Sequence, residues 1–84
     1  MSRTDDLAVW RIFCEVARSG GVHAACETLN CEPSTVSRAL KAIEAEIGAP
    51  LFRRDGRNIR LTELGRRAQV KANELLDAHQ TMLQ

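Results

Sequence analysis

The sequence predicts a mainly α fold that carries one small β-hairpin. Three observations predict it. Up to Gly48, apolar residues recur at helical spacing in three stretches divided by turn signals. From Phe52 the period switches to alternation around an Asp-Gly dipeptide. From Thr62 helical spacing returns in a long run that has no proline and a single glycine, in its first turn. The 84 residues form one core, since two domains would have roughly 40 residues each, below the size that folds without staples. So small a chain hides only part of its surface, and a long element in it is expected to need cover from a second copy.

Leu7, Trp10, Phe13, Cys14 and Ala17 make one apolar face of a first helix running from about residue 6 to residue 18, with Asp5 and Asp6 supplying caps and favourable charge at its start. Ser19-Gly20-Gly21 breaks it. Val22, Ala25, Cys26 and Leu29 repeat the spacing in a second, short helix, and Asn30 to Pro33 is the next turn. A third helix begins at Pro33 or Ser34, because proline's missing N–H would be unpaired in the first turn anyway. Gly48 ends it, with Pro50 just beyond.

Within the third helix Val36, Leu40, Ile43 and Ile47 fall on one narrow stripe, about 60° wide. The opposite side presents Ser34, Arg38, Lys41 and Ala45, and the acids Glu44 and Glu46 lie off it. A short helix, a tight turn and a second helix offering Ser, Thr, Arg and Lys outward is the helix-turn-helix arrangement, whose second helix enters the major groove of DNA. A protein-docking surface is the competing reading of that face.

The alternation over Phe52-Arg53-Arg54 and Arg57-Asn58-Ile59-Arg60-Leu61 reads as two short strands around Asp55-Gly56, a pair favoured in type I′ turns. With that two-residue turn Arg54 faces Arg57 and Phe52 faces Ile59. The apolar pair then lies on the core while arginines crowd the tip. Four arginines in so short a hairpin repel one another, and a phosphate backbone or a narrow minor groove relieves that repulsion. A hairpin charged to prevent edge-to-edge aggregation is the plainer reading. This hairpin is the wing of a winged helix-turn-helix, expected over residues 1–61.

Thr62 is placed to cap a last helix, with Glu63 favourable against its dipole. Residues 62–84 are expected to form a linker and dimerisation helix about 32 Å long. Leu64, Ala68, Lys71, Leu75, Ala78 and Met82 trace one stripe; Ala72, Leu76, His79 and Leu83 trace its neighbour. One stripe can cover the domain while the other pairs with a second copy. The residues expected at the dimer contact are therefore Leu64, Ala68, Ala72, Leu75, Leu76, His79, Met82 and Leu83.

The formal charge is only +1, which by itself argues against a polyanion partner. The distribution argues for one. Residues 1–37 sum to −2, residues 38–71 to +5 and residues 72–84 to −2, with nine of the twelve Lys and Arg in the middle segment. A local basic patch, more than the total, is the electrostatic footprint of a nucleic acid. Arg66, Arg67 and Lys71 extend it from the wing onto the last helix.

Other classes are poorly supported. No apolar run approaches the length of a membrane span and no signal peptide is visible, so a cytoplasmic protein is expected. Three cysteines without CxxC spacing read as reduced thiols, with Cys14 and Cys26 as small core residues. His23 and His79 lack ligand spacing. No phosphate loop or Ser/His/Asp arrangement is present, so neither catalytic residue, metal nor cofactor is expected.

Taken together, Leu7-x-x-Trp10-Arg11-x-Phe13-x-x-Val16-Ala17, Ala25-Cys26-x-x-Leu29 and Val36-Ser37-Arg38-x-Leu40-Lys41-x-Ile43-Glu44 resemble the LysR-type transcriptional regulators. The likeness continues through Ile47-Gly48-x-x-Leu51-Phe52-x-Arg54-x-x-Arg57 and Leu61-Thr62-x-x-Gly65, across nearly the whole chain. It implies double-stranded DNA as the partner and a homodimer in which the linker helix pairs antiparallel with its twin. By the same resemblance Ser37 and Arg38 match positions that contact DNA, and Ser34 and Thr35 match the sequence-reading start of the recognition helix. The expected division of labour is Ser34, Thr35 and Arg38 on base edges, Ser37 and Lys41 on phosphates, and Arg53, Arg54 and Arg57 at the wing.

Full-length members carry an effector-binding domain after the linker helix, so the chain resembles the isolated DNA-binding domain of a longer regulator. It also departs from the family pattern. Gly21 stands where a capping Ser or Thr is usual, Val22 for an aromatic residue, Glu32 for a hydroxyl residue and Ala39 for a frequent Gln. A winged-helix module that binds protein and not DNA is the alternative function, because the fold alone does not dictate DNA binding.

Overall fold

The computed structural model of the chain describes residues 7–83, and side chains for residues 7–78. The expected caps Asp5 and Asp6 lie outside the described residues. The order of elements is α1 (Leu7–Ser19), α2 (Val22–Leu29), α3 (Pro33–Ile47), β1 (Phe52–Asp55), β2 (Asn58–Leu61) and α4 (Glu63–Leu83). Helix α1 is the hub: it packs against α2, α3 and α4, and α2 packs on α3. Its buried Phe13 and Val16 meet Ala25 and Cys26 of α2, Val36, Leu40 and Ile43 of α3, Leu51 before the wing and Ala72 of α4. Ile47, expected on the apolar stripe of α3, is 41% exposed, because the last turn of that helix runs past the edge of the core.

Each turn has a local cause. Asn30 takes a left-handed φ of 56° after α2 and donates its N–H to the Cys26 carbonyl. Helix α2 starts at Gly21, which supplies no side-chain cap, as its lack of a hydroxyl dictates. Pro33 occupies the start of α3, whose first bonds run from the Thr35 and Val36 N–H groups to the Glu32 carbonyl. Gly48 closes α3 by donating its N–H to the Glu44 carbonyl at 2.8 Å.

The hairpin has a register different from the expected one. Phe52 pairs with Leu61, Arg53 with Arg60, Arg54 with Ile59 and Asp55 with Asn58, so Gly56-Arg57 is the turn. Gly56 has φ +66° and Arg57 does not have positive φ, the pattern of a type II′ turn with glycine first. An Asp55-Gly56 type I′ turn would require positive φ at Asp55 as well, which Asp55 does not have. The observed register also places Phe52 opposite Leu61 at the root, where the core can hold both.

Thr62 caps α4 as expected. Its Oγ1 accepts the Gly65 N–H at 3.0 Å and donates to the Pro50 carbonyl at 3.0 Å, while its own N–H donates to the Leu51 carbonyl at 2.9 Å. These bonds clamp the start of α4 to the segment before the wing. Gly65 is buried there, and a Cβ on it would lie 2.2 Å from the Leu51 carbonyl oxygen. Glycine is thus required for close approach of helix and chain, not for an unusual backbone angle.

Candidate nucleic-acid interface

The outer face of α3 is built by exclusion. Val36, Ala39, Leu40 and Ile43 are buried, which leaves Ser34, Thr35, Arg38 and Lys41 exposed and Ser37 half-buried on the remaining arc. Ala39 therefore lies in the packed interior. Arg38 Nε donates to the Ser34 carbonyl one turn earlier at 3.4 Å, a long bond that an approaching acceptor can replace. Lys41 forms no ion pair among the described residues. Glu32 is exposed at the N-cap and makes no side-chain cap bond, so its carboxylate adds negative charge at the lip of this face.

The wing is held at its root and free at its tip. Phe52 packs against Phe13 with ring centroids 5.4 Å apart, and Phe13 meets Trp10 edge-on at 5.6 Å. The Ile59 N–H donates to the Gly20 carbonyl at 3.2 Å, tying β2 to the α1–α2 turn. Glu44 Oε2 accepts the Leu51 N–H at 2.6 Å and the Phe52 N–H at 3.3 Å. The helical period places Glu44 off the outer face of α3 and gives it no partner. Its structural role is to hold the strand entering the wing at a fixed distance from α3 through charge-assisted bonds. An acid near the end of a helix and shortly before a hairpin is a signal for such a brace, but the loop geometry decides which N–H groups it meets.

Arg53, Arg54 and Arg57 are exposed and form no ion pair among the described residues. Arg54 does not face Arg57; the cross-strand pair of like charges is Arg53 with Arg60. Such a pairing is unfavourable alone, and Asp55 offsets it by pairing with Arg60 Nε at 3.2 Å. The structure therefore brings the predicted side chains onto two neighbouring elements, α3 and the wing, whose spacing is set through Glu44 and Leu51.

Helix α4 divides its apolar residues between two directions. Ala72 is buried by its own domain, Ala68 packs on the core, and Leu76 is half-buried beside Cys14 and Leu29. Those three expected dimer residues thus cover the domain, because the small alanines let α4 approach α1. Leu64 and Leu75 remain exposed, at 37% and 52%. Val70, absent from the expected set, is exposed as well. The side chains of His79, Met82 and Leu83 lie outside the described residues.

The three cysteines are free. Burial pushes the thiols of Cys14 and Cys26 above the ordinary thiol value, with the neighbouring Cys31 adding to the effect at Cys26. Both are consequently poor nucleophiles at neutral pH. Among the described residues no three His, Cys, Asp or Glu side chains are grouped to hold a metal ion, and no helix is long and apolar enough to cross a membrane.

Comparison with known proteins gives a consistent picture. Residues 7–66 match the family described as bacterial regulatory helix-turn-helix protein, lysR family. The chain is 34% identical over 77 residues, 92% of its length, to the HTH-type transcriptional activator IlvY of Salmonella typhimurium, of which this covers 26%. It is 43% identical over 65 residues, 77% of its length, to the uncharacterized HTH-type transcriptional regulator y4mQ of Sinorhizobium fredii, covering 22% of it. The chain thus spans about a quarter of the length of these curated relatives. Among solved structures, the BenM DNA-binding domain in complex with benA site 1 DNA is similar with a TM-score of 0.88 at 26% identity, covering 93% of this chain and 91% of that one. The CbnR DNA-binding domain in complex with DNA is similar with a TM-score of 0.87 at 27% identity, covering 92% of this chain and 88% of that one.

Proposed function

The chain belongs to the lysR family of bacterial regulatory helix-turn-helix proteins, and from that premise we propose that it binds double-stranded DNA sequence-specifically, as the DNA-binding domain of a transcriptional regulator. The observation that carries this reading is the set of exposed cations on α3 and the wing, Arg38, Lys41, Arg53, Arg54 and Arg57, none ion-paired among the described residues. A surface that holds five such cations together gains free energy from a polyanion that releases its counterions there.

In this reading residues 1–61 are the DNA-reading unit and residues 62–84 the linker helix. Ser34, Thr35 and Arg38 read base edges in the major groove, Ser37 and Lys41 take phosphates, and Arg53, Arg54 and Arg57 meet the backbone and minor groove. Two chains pair through the exposed side of α4, with Leu64 and Leu75 central to the contact. An effector-binding domain belongs to the full-length regulator, and no catalytic role or cofactor is assigned to this chain. A protein-docking role for the same face is less favoured, since it leaves the concentration of cations without a partner.

Selection of bound sequences from random duplexes tests the reading, because it reports binding, motif and half-site spacing together. A two-half-site motif is the expected result. A protein that enriches no sequence and is not retarded by duplex DNA at low salt would refute it. Concentration-dependent sedimentation tests the pairing, and a Leu75→Glu variant is expected to sediment as a monomer where the parent chain is a dimer.

A further inference from the structure

Besides the recognition face, the root of the wing forms a shallow cleft of about 410 Å³. It is lined by Ala17 of α1, Phe52 and Ile59 of the hairpin, Gln69 of α4 and three arginines: Arg53, Arg60 and Arg66. They come from three different elements, β1, β2 and α4, so neither a helix face nor a strand period brings them together. Arg53 and Arg60 sit opposite one another in the hairpin register, and Arg66 follows the clamped first turn of α4. One carboxylate offsets this group, Asp55, and it pairs with Arg60 while both remain largely exposed, at 58% and 72%. The cleft therefore carries a net charge of about +2, a local positive potential that attracts an anion.

Guanidinium groups match the oxygens of a phosphate by paired N–H donation. The geometry points to this cleft as a seat for one backbone phosphate of the DNA duplex, separate from the contacts made by the tip residues Arg54 and Arg57. Continuity selects DNA over other anions: the cleft lies on the same hairpin as the wing tip, and Arg53 belongs to both. The assignment rests on the DNA-binding reading above and adds Arg60 and Arg66 to it. Asp55 then acts as a restraint, competing with the phosphate for Arg60.

Salt titration of duplex affinity tests the assignment, with one duplex carrying the selected motif and one scrambled. The double variant Arg60→Ala/Arg66→Ala is expected to lower the salt slope by about 0.9, the loss of one phosphate contact, equally on both duplexes. Asp55→Asn, which frees Arg60, is expected to tighten binding to both several-fold at low salt. Arg11→Ala, remote from the cleft on α1, leaves the slope unchanged. A parent protein that binds duplexes while the double variant keeps its slope and affinity overturns the cleft alone. A parent protein that ignores duplexes removes the DNA reading and the cleft with it. Inorganic phosphate is the control for a small anion: if it shifts the Arg60 and Arg66 Nε–H resonances and a duplex does not, the cleft serves a free anion and the assignment fails.

Discussion

Gly65→Ala separates two opposite expectations for one methyl group. In an ordinary exposed helix the change stabilises by about 1 kcal/mol through propensity. Here the new Cβ would lie 2.2 Å from the Leu51 carbonyl oxygen and 2.9 Å from Leu61 Cδ2. Even a weak C–H···O contact keeps carbon and oxygen about 3.3 Å apart, so helix or chain must move by about 1 Å. Leu51 cannot yield easily. It is 1% exposed, its N–H is held by Glu44 at 2.6 Å and its carbonyl by the Thr62 N–H at 2.9 Å. Overpacking costs about 1–3 kcal/mol, and a broken Leu51–Thr62 bond costs about 1–3 kcal/mol more. After the propensity gain a net loss of about 3 kcal/mol remains, which for a domain of this size lowers Tm by roughly 12–24 °C. Thermal unfolding followed by far-UV circular dichroism measures it. A variant as stable as the parent, or more so, would refute the close-approach argument.

Glu44→Ala strands the Leu51 and Phe52 N–H groups and is expected to cost about 2–3 kcal/mol in urea unfolding, with Glu44→Gln recovering part because its amide oxygen still accepts. Arg38→Ala is expected to lose about 1–3 kcal/mol of binding to the selected duplex and much less to a scrambled one; equal losses on both would make Arg38 a phosphate contact. The raised thiols of Cys14 and Cys26 predict an alkaline effect on stability. The unfolded chain ionises these thiols first, so their contribution is whole at neutral pH and declines as pH rises past the ordinary thiol value toward the folded one. Tm measured against pH should show that decline, and a Cys14→Ala/Cys26→Ala variant should show less of it.

Much of the fold was legible because its signals are local. The helical spacing of Leu7 to Ala17, the Gly20-Gly21 break, Pro33 at the start of α3, Gly48 at its end and Thr62 as the α4 cap each act within a turn or two of chain. The exposed face of α3 was equally legible, since burial of Val36, Leu40 and Ile43 forces Arg38 and Lys41 outward. The wing was legible as a hairpin but not in its register. Alternating residues accept either pairing, and the choice lies in the turn conformation at Gly56 and the seat for Phe52 against Phe13.

By itself the sequence determined the elements, the basic middle third and the family pattern, because periodicity, capping and charge are carried by residues close together in the chain. Only the tertiary structure decided which residues of α4 cover the domain. It draws them from both stripes, Ala68 from one and Ala72 and Leu76 from the other, while Leu64 and Leu75 stay exposed. The answer depends on small side chains at Ala68 and Ala72 meeting α1, at the other end of the chain. It alone decided that Glu44 braces the wing, that Gly65 must lack a Cβ, and that Arg53, Arg60 and Arg66 border one cleft. Each of these is a meeting of segments distant in sequence, and packing sets which groups face one another there.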